Sequence, residues 1–270
     1  MPKDKIHFAH ANGFPAKTYN RLFAYLEDDF EIGYLERHAH NPKFPVTDGW
    51  ERLRDELREE LENRYTQKII GVGHSLGGIL HFLTAVENPE FYKAIILLDA
   101  PIISRLSSAG IRILKRANLI DRFTPSQITR FRRSHWKTKE EAVEHFRKKE
   151  KFAAFDRGVL RDYVEHGTVR NEKGVRLFFK PKIEAEIYRT IPHNLAKFRG
   201  KLKVPAFYIG GTNSREARLA RLGFMRKYFP FEFRFIKGSH LFPLEKPRET
   251  AEIIRQIYFK YLFTAEKLRR

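Results

Sequence analysis

Residues 68–78, K-I-I-G-V-G-H-S-L-G-G, constrain the fold of this chain more than any other stretch. A β-branched run (Ile69, Ile70, Val72) leads into Gly73-His74-Ser75-Leu76-Gly77, a G-x-S-x-G pentapeptide, and residues 79–87 are apolar at helical spacing with no proline. The pattern predicts strand, tight turn, helix. A serine on such a turn has its hydroxyl exposed, the flanking glycines let neighbouring backbone pass close, and the Leu76 N–H opens a helix toward any developing oxyanion. The pentapeptide alone occurs by chance in many chains; its place between strand and helix makes Ser75 a candidate nucleophile rather than part of a plain glycine-rich turn.

The flanking sequence alternates in the same way. Residues 5–11 read as a buried strand, 12–15 as a turn, 16–28 as a helix with Tyr19, Leu22, Phe23 and Leu26 on one face, and 30–37 as a second strand. Residues 38–49 read as a loop, 50–63 as a helix carrying Trp50, Leu53, Leu57 and Leu61, and 93–98 as another buried strand ended by Asp99-Ala100-Pro101. Strand and helix in turn predict an α/β fold with a mostly parallel sheet covered on both faces. The alternation then stops for about a hundred residues, longer than an ordinary strand-to-helix connection. Helices are predicted at 102–118, 126–134, 139–152, 157–166 and 182–189, with a short extended piece at 175–179. Strand and helix resume at 204–210, 214–228, 232–237 and 247–263. The expected organisation is one core domain, 1–100 with 201–270, and a mainly helical cap inserted at 101–200.

The chain has no cysteine, which excludes disulfides, thiolate nucleophiles and cysteine-based metal sites. No apolar run reaches the ~20 residues of a membrane span, and the N-terminus enters a strand without a signal-type apolar region, so the sequence predicts a cytoplasmic protein. The formal net charge of +19 asks for an explanation. Residues 101–200 hold roughly 24 Lys and Arg against roughly 11 Asp and Glu, so the excess belongs mainly to the cap. Charge runs such as 130–133 and 147–151 read as solvated helix faces, with an anionic surface or an anionic part of the substrate as the sharper reading. No helix-turn-helix, zinc-finger or RNP-type signature accompanies the charge, so no specific nucleic-acid partner is expected.

Four separated places together resemble the α/β-hydrolase family over essentially the whole chain. His10-Ala11-Asn12-Gly13 resembles the family's H-G-x oxyanion loop, which implies that the Asn12 backbone N–H partners that of Leu76. The elbow supplies Ser75. Gly238-Ser239-His240, after the last strand, is similar to the family's G-x-H ending and implies His240 as general base. The insertion at 101–200 looks like the family's cap over the active site. The longer spelling H-A-N-G-F-P is associated with a branch of lipase-like and esterase-like members.

A serine hydroxyl becomes nucleophilic when an imidazole takes its proton, and the imidazole needs an acceptor at its other nitrogen. In most relatives the acid follows the strand that here ends at Ile209-Gly210, but this chain reads Gly210-Gly211-Thr212-Asn213, an amide. Asp99 is the favoured candidate: Leu-Leu-Asp99-Ala-Pro resembles the ending of the acid-bearing strand in pancreatic-type lipases. Asn213 is the alternative orienter, and Glu184 or Glu186 at the end of the cap are further choices; Asp99 could also simply turn the chain before Pro101. His74 reads as an elbow residue packed near the oxyanion loop, and His10 as a structural histidine holding that loop. Phe14, Trp136 and Phe242, with Phe44 and Phe178, could line an apolar pocket, though core packing is the default for aromatic residues. His38 and His40 make a weak metal pair, and no metal site is expected.

The implied activity is that of a carboxylesterase or lipase-like serine hydrolase, cleaving an ester or thioester through an acyl-enzyme and needing no cofactor. Serine at the elbow argues against the dehalogenase and epoxide hydrolase chemistries of relatives that carry aspartate there. Carbon–carbon bond hydrolysis and cofactor-free haloperoxidase activity use the same set of residues, and a non-catalytic binding protein on this fold is the reading from another class.

Overall fold

The computed structural model describes residues 3–263; the outer ends of the expected core, 1–2 and 264–270, lie outside them. Four parallel strands come first: β1 (Asp4–Ala9), β2 (Phe30–Tyr34), β3 (Ile69–His74) and β4 (Tyr92–Leu98). The chain then leaves for three short strands, β5 (His135–Trp136), β6 (Thr168–Asn171) and β7 (Gly174–Leu177), which form their own antiparallel sheet, and returns with β8 (Ala206–Gly211) and β9 (Phe231–Ile236). The main sheet runs β2-β1-β3-β4-β8-β9, every pair parallel.

Burial on both faces explains why the central strands are apolar without interruption. Along β4, Ala94, Ile96 and Leu98 enter one hydrophobic cluster while Ile95 and Leu97 enter the other, as the two-residue period of a strand requires. The second cluster is roofed by α2 (Glu51–Arg64), through Leu53, Leu57 and Leu61, and by α3 (Leu76–Glu87). The first is covered by Leu22 and Phe23 of α1 (Asn20–Ala24) and by Ala251, Ile254 and Ile257 of the last α-helix.

Between β4 and β8 run α4 (Arg105–Arg116), α5 (Ile120–Phe123), α6 (Ser126–Arg130), α7 (Lys139–Arg147), α8 (Glu150–Ala153), α9 (Arg157–Gly167) and α10 (Pro181–Arg189). Side-chain caps start several of them: Thr138 accepts from Glu141 N–H and Asp156 from Gly158 N–H, satisfying donors that a first helical turn leaves free. The insertion shares the core beneath it. Phe14, on the loop after β1, packs against Phe152, Phe155 and Tyr163 with ring centroids 6.3, 6.2 and 5.3 Å away. Aromatic contacts of this kind contribute about 0.5–1.5 kcal/mol each beyond burial.

Several elements are shorter than their sequence pattern. The helix expected at 214–228 is two, α11 (Arg215–Ala220) and α12 (Gly223–Tyr228), because Arg221 takes a left-handed backbone with φ 50°. The one expected at 139–152 divides at Lys149, which is extended between α7 and α8. Helix α6 stops at Arg130, after which His135 and Trp136 pair with β7. A short helix that the sequence did not predict, α13 (Phe242–Glu245), precedes the last one, which spans its expected range, 247–263, as α14 (Pro247–Ile257) continuing into a π-helical turn over Tyr258–Phe263. Among the described residues no helix is long and apolar enough to cross a membrane.

Candidate active site

The chain goes from β1 outward to β2 and then crosses back to β3, so the strand order reverses between β1 and β3. Open parallel sheets bind ligands outside the carboxyl ends of their strands at such a reversal. The loop after β1 carries Asn12, Ser75 follows β3, Asp99 follows β4, and His240 lies beyond the end of β9. The sheet delivers all four to one edge.

Ser75 sits between β3 and α3 with φ 52° and ψ −112°, a conformation an L-residue holds only when its surroundings enforce it. Its own N–H donates to the Leu98 carbonyl at 2.9 Å, fixing the turn to the end of β4. Gly77 permits the sharp entry into the helix: a Cβ there would stand 2.0 Å from the Ala9 carbonyl oxygen. That close approach sets the N-terminus of α3, and with it the Leu76 N–H, against the end of β1. As the first helical residue Leu76 has no intrahelical acceptor for that N–H. Among the described residues the Ser75 hydroxyl itself has no hydrogen-bond partner.

Asp99 is fully buried, with φ 45°, and its carboxylate accepts four donors. Oδ1 takes the Tyr208 hydroxyl at 3.2 Å and the Gly211 N–H at 3.1 Å; Oδ2 takes the Ser214 hydroxyl and His240 Nδ1 at 2.6 Å. The bond to a carboxylate places the proton on Nδ1 and leaves Nε2 of His240 free to accept. Loss of hydration is the largest influence on His240 and works against its cation. The Asp99 hydrogen bond, then the charges of Glu216, Asp99 and Glu245, outweigh it and raise the pKa above the ordinary histidine value. Glu216 approaches His240 Nδ1 at 3.8 Å from the half-exposed side. The donor atoms of Asp99, Glu216 and His240 lie within 4.8 Å of one another, yet they do not suit a cation: Nδ1 holds a proton toward Asp99, whose oxygens are already taken.

The loop after β1 is closed by Phe14 N–H donating to the Ala11 carbonyl, which leaves the Asn12 and Gly13 N–H groups outside the turn. Two buried histidines hold it. His10 donates from Nδ1 to the Ala11 carbonyl at 2.8 Å and accepts the His38 N–H at Nε2, also at 2.8 Å, which defines a neutral ring. His74 has Nε2 at 2.9 Å from the His240 carbonyl, so Nε2 carries the proton and Nδ1 accepts the Tyr19 hydroxyl at 2.7 Å. Burial drives the His74 pKa down to about 3, in keeping with this neutral form. Tyr19 in turn accepts the Ala11 N–H at 3.4 Å. A single chain of bonds thus runs from the loop after β1 through Tyr19 and His74 to the backbone of His240.

The insertion meets the same loop. The Asn12 side-chain amide donates to the Glu184 carbonyl at 3.0 Å, and the Glu184 carboxylate lies where a Cβ on Gly13, at φ 81°, would come within 2.5 Å of Oε1. Buried Glu184 pairs with Arg132 at 2.5 Å. Loss of hydration raises the Glu184 pKa, opposed by Arg132 and by Lys151.

The remaining sequence candidates fall elsewhere. Asn213 is exposed, its side-chain oxygen accepting only from Thr212 at 3.4 Å, while its backbone N–H ties to Gly238. Glu186 faces Arg189. Trp136 and Phe242 are buried in the core cluster rather than set on an open cleft, and Phe14 packs with them. Phe44 and Phe178, with Arg37, His40 and Glu56, line a separate surface hollow of about 310 Å³. Buried His38 is 3.5 Å from Glu56, and His40 is turned toward the His38 carbonyl, so the two rings do not converge on a common point. Sequence reasoning passed over Tyr19, Tyr208 and Ser214: each looked like an ordinary core or cap residue, and only the tertiary structure brings their hydroxyls to His74 and Asp99.

A parallel sheet with a strained serine elbow at its switch point, beside a buried carboxylate–histidine pair, defines an α/β-hydrolase. The sequence matches the model of the "Alpha/beta hydrolase family" over residues 8–253, and the chain belongs to that family. It is 24% identical to the abhydrolase domain-containing protein AFT2-1 of Alternaria alternata, over 70% of this chain and 82% of the relative. Among solved structures it shares the fold of E-2-(acetamidomethylene)succinate hydrolase, with a TM-score of 0.73, 16% identity and coverage of 94% of this chain and 91% of that one. The thioesterase domain from the curacin biosynthetic pathway matches with a TM-score of 0.68 at 14% identity, covering 94% and 91%.

Proposed function

We propose that this hydrolase cleaves carboxylic ester or thioester bonds through an acyl-enzyme on Ser75. The observation that carries the reading is the 2.6 Å bond between the buried Asp99 Oδ2 and the partly buried His240 Nδ1, next to a strained elbow serine. Ser75 Oγ attacks the carbonyl carbon while its proton passes to Nε2 of His240, and Asp99 holds the ring and stabilises the cation that forms. The tetrahedral oxyanion accepts the backbone N–H groups of Asn12 and Leu76. Collapse expels the alcohol or thiol, which takes the proton from His240; water then attacks the acyl carbon with His240 again as base, releasing acid and Ser75. Because Asp99 occupies the orienting position, the amide at 213 needs no catalytic role, which favours an enzyme over a binding protein that has lost its acid.

The test is covalent and kinetic. A fluorophosphonate probe is expected to label the wild-type protein and leave Ser75→Ala unlabelled, and a panel of p-nitrophenyl esters and acyl thioesters to be turned over with a loss of about 10³-fold or more in Ser75→Ala. An unlabelled wild-type protein that is folded and inert on the whole panel would sink the reading.

A further inference from the structure

The insertion carries a surface that catalysis does not use. Leu106, Ile113, Phe123, Ile128 and Phe131 are each between 64% and 85% exposed, five of the nine large apolar side chains that stand in solvent among the described residues. Isolated exposed apolar residues are unremarkable, but five within 26 positions of one segment, 106–131, form a concentrated surface. They lie on α4, α5, α6 and the residue after it, and α5 packs against both α4 and α6.

Charge follows the same segment. Residues 101–134 hold eight basic side chains and one acid, Asp121, whose carboxylate is taken by Arg189 at 2.8 Å. Among the described residues Arg105, Arg112, Arg116, Arg122 and Arg130 have no ion-pair partner, whereas Lys115, Arg132 and Arg133 are paired with Asp48, Glu184 and Glu141. On α4 the arrangement is directional. Leu106, Gly110, Ile113 and Ala117, at i, i+4, i+7 and i+11, fall on one stripe, while Arg105, Arg112 and Arg116 form the adjoining stripe about 100° away. Ile111 and Leu114 lie on the opposite, less exposed side. An apolar stripe bordered by arginines, both facing solvent, is the pattern of a helix lying in a lipid–water interface, where apolar side chains enter the acyl boundary and guanidinium groups meet headgroup phosphates.

We propose that the 105–131 face of the insertion docks on an anionic phospholipid bilayer. The charge selects this occupant over a second copy of the chain, because two such faces would bring two sets of unpaired arginines together. The exposed leucine, isoleucine and phenylalanine side chains select it over nucleic acid, which engages arginines but gives these residues nothing to enter.

The test is co-sedimentation of the full chain with vesicles, and it reads binding independently of hydrolysis. Wild-type protein is expected to sediment with vesicles of phosphatidylcholine mixed with phosphatidylglycerol and to stay in solution with phosphatidylcholine alone. Leu106→Glu with Ile113→Glu is expected to weaken binding at least about tenfold, and Arg112→Gln with Arg116→Gln to weaken it similarly, with unchanged thermal melting. Indifference to the mixed vesicles overturns the proposal. So does a dimer in analytical ultracentrifugation that the Leu106 and Ile113 substitutions abolish while vesicle binding is absent. Heparin binding that survives those substitutions, again without vesicle binding, overturns it in favour of a general polyanion surface.

Discussion

His240 Nδ1 lies 2.6 Å from Asp99 Oδ2, and Asp99 comes from the end of β4, not from the loop after β8 where Asn213 stands exposed. Because β4 and β8 are neighbours in the sheet, a carboxylate at the end of either can face the loop after β9, and the Asp99 N–H itself pairs with the Ile209 carbonyl. Asp99→Asn keeps the shape but puts an amide where the imidazolium needs a charge. Expected is a fall in kcat of about 10⁴-fold with a modest change in KM, against a change within about threefold for Asn213→Ala. Steady-state kinetics on a p-nitrophenyl ester decide it, and the reverse order of the two losses would remove Asp99 from the site.

The acid limb of the pH profile follows from the raised His240 pKa. As a base the ring must be neutral, so kcat/KM is expected to fall as pH drops through a value above the ordinary 6.5. Replacing Glu216 with Gln takes away one charge that favours the cation, so the limb moves toward lower pH. The shift is small because Glu216 is half exposed and screened. The plateau at high pH should stay within about threefold of wild type, since Glu216 is not required to orient the ring. A limb that moves upward, or does not move at low salt, contradicts this account.

Tyr19 connects the loop after β1 to the elbow by accepting from Ala11 and donating to His74. Tyr19→Phe preserves the ring in the core but leaves the His74 Nδ1 lone pair buried without a donor, a cost of about 1–3 kcal/mol in unfolding free energy. The same change frees His74 to rotate away from the His240 carbonyl. A roughly tenfold loss in kcat should accompany it, with KM nearly unchanged. Urea denaturation and kinetics on one preparation separate the effects; lost stability with wild-type kcat would make the network purely structural.

The legibility of the sequence tracked the range of the interactions. Strand, elbow and helix at 69–87 were readable because a local pattern specifies them, and Tyr19, Leu22, Phe23 and Leu26 entered the core as their spacing required. Of the β5–β7 sheet only β7 was, as the extended piece at 175–179; β5 and β6, of two and four residues, carry too short a period to detect, and pairing with β7 creates them. Asp99 was favoured over Asn213 on resemblance alone, since both follow a buried strand and the sheet order admits either; only the folded loops turn the Asp99 side chain inward and leave Asn213 exposed. Tyr208 and Ser214, which cradle Asp99, gave no signal at all beyond ordinary core and cap propensity.

The Arg132–Glu184 pair holds the insertion against Gly13 and the Asn12 loop. Both groups are largely buried, so removing one leaves the other without its ion-pair partner. Arg132→Met is expected to cost about 3–5 kcal/mol, and adding Glu184→Leu to recover much of it, because the double replacement buries no orphan charge. Thermal or urea unfolding of the three proteins measures the recovery. Equal or additive losses would mean that the two side chains contribute independently.

Four fully buried histidines carry much of the response to acid. Burial, with the charge of neighbouring histidines, holds His81 and His74 at about 3 and keeps His7 and His10 well below the ordinary value. His81 is fully buried between His7 at 3.4 Å and the Tyr92 hydroxyl at 3.0 Å, and the loss of hydration disfavours a second proton on its ring. In the unfolded chain these rings protonate near 6.5, while in the folded protein they stay neutral, so below 6.5 the unfolded state binds more protons. Their stabilising share is complete above that pH and is lost as pH falls toward the folded values, by up to about 1.4 kcal/mol per pH unit for each ring. The raised pKa of His240 works in the other direction, contributing below 6.5 and fading as pH rises through its folded value, but it is one histidine against these four and against His40, His145 and His193, which are lowered as well. Unfolding free energy from urea titrations should therefore drop between about pH 6.5 and 4.5, and His81→Gln, which can still accept from Tyr92, should reduce the slope by about one proton. An unchanged slope in that variant would show that His81 is already protonated in the folded protein.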